Sequence, residues 1–192
     1  MIDKLKYRKL YNEMVYLQSE VELINAEISE VDTIFTKYIQ EFCTNNDIEI
    51  EEHPKNEKLF KQPKRSDYTT EDKKTFSKLY KQIAKKIHPD KFANRPDSDY
   101  FEDRFKELST AFDDEEWATI LRMAKEERIQ VDKETMANLR MQKIINDLRV
   151  ELKHKKSQYN WLFRNCGEDE NCKQKLAKDL IKRLYNVEVN QQ

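Results

Sequence analysis

The 192-residue chain contains one glycine, Gly167, and four prolines. A compact α/β domain needs glycine for its turns and a larger apolar fraction, so that class is excluded. Long hydrophobic runs are missing too. No stretch approaches the roughly 20 apolar residues that cross a bilayer, and the N-terminal MIDKLKYRKL is too polar for the core of a signal peptide. Cysteine is scarce and odd in number, at Cys43, Cys166 and Cys172. That argues against a disulfide framework and for a reducing, intracellular setting. The formal net charge of -1 offers no global attraction to nucleic acid or membrane, so any electrostatic function must come from local patches. What the chain does have is charge of both signs, 38% of its residues, and a mean hydropathy of -1.00. Those values fit long helices with much solvated surface, an all-α fold.

The first such helix spans residues 1–45. Tyr7, Leu10, Met14, Leu17, Val21, Ile24, Ile28, Val31, Phe35, Tyr38 and Phe42 alternate spacings of three and four. They form a stripe that demands a partner helix, as in a coiled coil. About 36 residues at 1.5 Å each give a rod of roughly 54 Å. Residues 46–70 read as a linker, with two prolines and a short extended piece at Ile48–Ile50.

Residues 71–128 read as a separate helical module. Thr69 with Asp72 is a helix start signal. Phe76, Leu79, Tyr80, Ile83 and Ile87 then fall on one helix face, with Lys74, Lys78, Lys81 and Lys85 on another, while Lys73 and Lys86 add positive charge. The polar loop DKFANRPDSD leads to a helix over 99–112 whose apolar positions are Phe101, Phe105, Leu108 and Phe112. Asp113 and Asp114 read as the N-cap of a further helix that buries Trp117, Ile120, Leu121 and Ala124.

Residues 129–166 read as a second coiled-coil helix, running from Val131 to about Asn165 with Lys155 as a polar interruption. Its length nearly matches the first, which predicts an antiparallel hairpin with the 71–128 module inserted between the two rods, at the tip. Residues 167–192 comprise a C-cap at Gly167, a start at Asp169, and a short amphipathic helix over 172–186 carrying Leu176, Leu180, Ile181 and Leu184, followed by a tail.

The most specific feature is His88-Pro89-Asp90. It closes the basic amphipathic helix at a proline that forces the backbone out of α geometry, and a polar loop follows. The preceding residues, Phe76 to Ile87, and the downstream block Phe105, Lys106, Glu107, Leu108, Ala111 and Phe112 complete the pattern. Together these blocks resemble the J domain, the DnaJ-like module that switches on DnaK-type chaperone ATPases. The resemblance covers about residues 70–128. It implies a chaperone-binding surface made of His88, Pro89, Asp90, Lys78, Tyr80, Lys81, Lys85 and Lys91. In that role the lysines steer encounter with an acidic patch, Pro89 fixes the turn, and Asp90 pairs with an arginine.

The chain departs from the J-domain pattern in three places. A first helix ending in a Leu-Gly turn is missing, with Leu59-Phe60 or part of a rod as substitutes. Ser77 and Gln82 stand at positions that are often basic. Asp113–Trp117 replaces the usual Leu-Ser-Asp stretch and resembles a divergent bacterial and phage-like branch.

Two other readings compete with the co-chaperone. A structural or assembly protein, viral or phage-encoded, would keep the J-like fold as an interaction module. A nucleic-acid binder would use Lys73–Lys91, but the acidic residues from Asp97 to Glu116 oppose phosphate. No arrangement suggests catalysis or a cofactor. Cys166 and Cys172 match no zinc spacing and read as structural thiols. The implied partners are a DnaK-type chaperone, a client or complex held by the coiled coil, and a second copy of the chain. The implied location is cytoplasmic, including an infected host cell or virion.

Overall fold

The computed structural model describes residues 2–48, 63, 66–93, 95–131 and 138–185. Its described residues are all-α, with no strand. Most of the 46–70 linker, including Ile50, His53 and Leu59-Phe60, lies outside them, as do residues 132–137 and the tail from 186. The chain divides into two compact units, Met1–Gln18 with Arg65–Leu148 and Ser19–Lys64 with Arg149–Gln192.

Helix α1, Ile2–Asn45, contributes to both. Uninterrupted by proline or glycine, it buries Met14, Leu17, Val21, Ile24 and Phe42 of the expected stripe. Tyr7, Leu10, Ile28, Val31, Phe35 and Tyr38 are only half-buried. Tyr11 and Gln18, off the stripe, are buried as well.

In the first unit, α2 (Thr70–Ile87) starts with a reciprocal capping box. Thr69 Oγ1 accepts the Asp72 N–H at 3.1 Å, and the Thr69 N–H donates to the Asp72 carboxylate at 3.0 Å. Its apolar face buries Phe76, Leu79, Ile83 and Ile87. Against it pack α3 (Ser98–Asp113), through Leu108 and Ala111, and α4 (Trp117–Glu126), through Trp117, Ile120, Leu121, Met123 and Ala124. Phe76 stacks on Trp117 with centroids 4.4 Å apart. The first part of α5 (Asn138–Lys155) adds Met141, Ile144, Ile145 and Leu148 to the unit's buried set. Part of a rod thus joins this unit: Tyr11 of α1 lies under the Lys125 ammonium at 4.0 Å, and Gln18 Nε2 donates to Thr119 Oγ1 at 2.9 Å.

Three helices end on a left-handed residue that is not glycine: Asp47, Glu115 and Arg128, with φ of 53°, 55° and 53°. Each end is closed by a longer backbone bond, from Ile48 to Cys43, Glu116 to Ala111 and Ile129 to Ala124. Asp113 and Asp114 therefore close α3 and do not cap α4, whose N-cap residue is Glu116. The acidic run satisfies the carbonyls behind it, which is why it did not read correctly as a start signal.

In the second unit, the later part of α1 packs with α6 (Tyr159–Cys166) and α7 (Glu170–Tyr185). Phe42, Cys43, Ala177 and Ile181 form a small core, extended by Tyr38, Ile39, Ile48 and Tyr185. Phe163 meets Phe35 and Tyr38 at 5.3 and 5.1 Å. Polar bonds surround this core: Arg164 to Glu27 at 2.9 Å, Tyr38 to Glu170 at 2.5 Å and Tyr159 to Asp179 at 2.6 Å. Burial, then the facing carboxylate, raises both tyrosine hydroxyls above their ordinary titration range.

Two further expectations are corrected. The second rod is not continuous: α5 stops at Lys155 and α6 begins at Tyr159. Ser157 Oγ donates to the His154 carbonyl at 2.6 Å, competing with the next helical bond, and Gln158 is extended at ψ 143°. Cys166 and Cys172 are not free thiols but a disulfide. Gly167 (φ 56°, ψ -120°) ends α6, and Asp169 caps α7 by accepting the Cys172 N–H at 3.1 Å. That turn sets the two Cα atoms 5.6 Å apart, within bridging range. Cys43 is the remaining thiol, buried, and burial raises its pKa.

Candidate functional site

The His88-Pro89-Asp90 segment occupies a 3₁₀ turn at the end of α2. His88 leaves helical geometry at ψ 127°, as the residue before a proline must, and Pro89 opens the turn over Pro89–Lys91. The Lys91 and Phe92 N–H groups donate to the His88 and Pro89 carbonyls at 3.0 and 2.8 Å. Proline suits this first position because it has no N–H to leave unsatisfied.

Within the turn, the Asp90 N–H donates to His88 Nδ1 at 3.3 Å. With Nδ1 as acceptor, the neutral ring carries its proton on Nε2. The imidazole is half-exposed and meets the edge of Phe105, on α3, at 5.3 Å. The Asp90 side chain is 88% exposed. The turn therefore holds the imidazole against an aromatic shelf and presents an exposed carboxylate beside it, with Asp90 Oδ2 3.4 Å from His88 Nδ1.

The lysines divide into two groups. Lys73 pairs with Glu115, Lys86 donates to the Glu127 carbonyl, and Lys91 folds back onto the Lys85 carbonyl. These three bind the module's own turns. Lys74, Lys78, Lys81 and Lys85, exposed like those three, stand about one helical turn apart along the outer face of α2. Lys74, Lys78 and Lys81 line a groove of about 440 Å³ with Gln82 and Gln130. Tyr80 differs from them: half-buried, its ring leans on Phe112 at 4.6 Å.

Two ionic clusters hold this surface in place. Arg104 and Arg122 are shared between Glu107 and Glu126, tying α3 to α4, with the Arg104–Glu107 and Arg122–Glu126 pairs at 2.8 and 2.9 Å. At the start of α2, burial alone would raise the Asp72 carboxyl. Bonds from Arg140, from both Thr69 groups and from Lys143 outweigh it and hold the carboxyl at about 2.

The eight residues singled out from the sequence thus fall on one helix and the turn that ends it. Phe105 was legible as an apolar helix position and as part of the downstream block, but not as the aromatic neighbour of His88. The bonds of Lys73 and Lys86 had no signal in the sequence, because each depends on where a distant turn lies, whereas Lys91 reaches back only six residues. Among the described residues no group of acidic, histidine or cysteine side chains could hold a metal, and no helix is long and apolar enough to cross a membrane. Comparison with family models, with curated proteins and with solved structures finds no match to this chain.

Proposed function

We propose that this chain is a J-domain-like co-chaperone that docks on a DnaK-type ATPase and stimulates it. In this reading residues 71–128 are the J-like module, and the coiled-coil segments on either side select a client or complex. The observation that carries it is the exposed Asp90 carboxylate, set beside His88 in a proline-fixed turn at the end of a helix whose outer face is lysine. A carboxylate so presented accepts both N–H groups of a guanidinium side by side. The Lys78, Lys81 and Lys85 ammonium groups raise the encounter rate with an acidic surface more than they raise affinity. Docking favours the partner's hydrolysis-competent conformation through differential contacts, and no bond is made or broken on this chain.

Binding kinetics test the two halves of the site separately. On a DnaK-type chaperone in its ATP state, Lys81→Ala with Lys85→Ala is expected to slow association and flatten its salt dependence. Asp90→Asn is expected to speed dissociation. Association that is equally fast and equally salt-sensitive in the lysine variant counts against this surface. Absence of any binding favours the assembly-protein reading.

A further inference from the structure

Four large apolar side chains on α1 face solvent: Leu5 at 59%, Tyr16 at 62%, Leu23 at 54% and Ile34 at 60% exposure. They are not scattered. Spacings of eleven, seven and eleven residues bring all four within about 20° of one line along the helix, roughly a third of a turn from the buried stripe. Because all four belong to one uninterrupted helix, the alignment follows from helix geometry alone.

This second stripe reads the same from either end. About a midpoint between Ser19 and Glu20, Leu5 maps onto Ile34 and Tyr16 onto Leu23. One flanking pair of charges obeys the same relation. Lys9 and Glu30, both exposed, map onto each other. On a larger scale, Lys6, Arg8 and Lys9 cluster near the start of α1, whereas the stretch from Glu13 to Asp32 has six acidic residues and no basic one.

We infer that the outer stripe of α1 is a homodimer seam, in which a second copy of the chain pairs antiparallel about that midpoint. A two-fold interface requires a surface complementary to itself, and this stripe meets the requirement in the placing of its apolar residues and in the Lys9–Glu30 pair. Antiparallel pairing sets the basic start of each helix on the acidic middle of the other. Parallel pairing sets Lys9 on Lys9 and Glu30 on Glu30, and is disfavoured. The inference does not depend on the chaperone reading.

Sedimentation velocity across a dilution series tests it with the full chain. The native protein is expected to show a concentration-dependent monomer–dimer equilibrium. Leu23→Glu, at an exposed position, is expected to weaken the dimer by about tenfold or more while the helical circular dichroism is unchanged. Lys9→Glu turns two symmetric attractions into repulsions and is expected to cost about tenfold at low salt. Adding Glu30→Lys to it should restore native affinity, and this pair of variants decides the matter should Leu23→Glu disturb folding. A native protein that stays monomeric at every concentration overturns the inference. So does a dimer indifferent to Leu23→Glu, or one that Lys9→Glu leaves intact, since a parallel dimer would not respond to that charge.

Discussion

The two units hold together by different means. Of the ten largest fully buried side chains among the described residues, only Ile181 lies in the second unit; the other nine, from Met14 to Met141, belong to the first. The first unit is thus a packed core, in which each lost methylene leaves a void. The second has a narrow apolar centre bordered by a disulfide and by tyrosine–carboxylate bonds. Packing should dominate the response of one and covalent and polar links the response of the other. Each unit has its own tryptophan, Trp117 in the first and Trp161 in the second, so the two are separable by fluorescence after Trp→Phe substitution of the other.

The largest effect is expected from Ile83→Ala, at a fully buried position. It should cost about 2–5 kcal/mol in the denaturant transition read at Trp117, with a much smaller change at Trp161. Equal shifts at both probes would erase the distinction between the units. Next, Cys172→Ser, or reduction, should lower the Trp161 transition by about 2 kcal/mol, the value for so short a closed loop, and leave Trp117 nearly untouched.

Acid separates the units in the other direction. Asp72 titrates at about 2 in the folded chain, against an ordinary 3.8. A lowered folded-state value gives stability that is fully present above the ordinary value and is lost as pH falls through about 2. That contribution is roughly 2 kcal/mol. An acid titration at Trp117 should show it, and Asp72→Asn should remove that part of the pH dependence. The smallest effect is a gain: Arg128→Gly relieves a left-handed residue at the end of α4 and should stabilise the first unit by about 1 kcal/mol. A loss of stability there would mean that the Arg128 side chain contributes more than its backbone costs.

Helix periodicity made the fold class legible, because a stripe such as Phe76, Leu79, Ile83 and Ile87 follows from residue spacing alone. Gly167 and the Thr69–Asp72 capping box were equally readable, since each acts on its immediate neighbours. What failed was whatever depends on meeting. The break at Ser157 was masked by apolar spacing that resumes in register at Tyr159, although the gap left by Lys155 marked it. The Cys166–Cys172 bridge needed the turn that joins α6 to α7, and cysteine count argued the wrong way. At the candidate site the identity of the turn and the lysine face were visible in sequence. The engagement of Lys73 and Lys86 with the module's own turns was not, because Glu115 and the Glu127 carbonyl come from other helices' ends.

The proposed function turns on the chemistry of the His88 turn, and one measurement addresses it directly: single-turnover ATP hydrolysis by a DnaK-type chaperone with the native protein and with His88→Gln. The variant should retain the native Trp117 transition, since the ring is half-exposed and meets Phe105 only at its edge. The account predicts that the native protein accelerates hydrolysis and that His88→Gln abolishes the acceleration. Equal rates with the two proteins, or no acceleration by either, would contradict it.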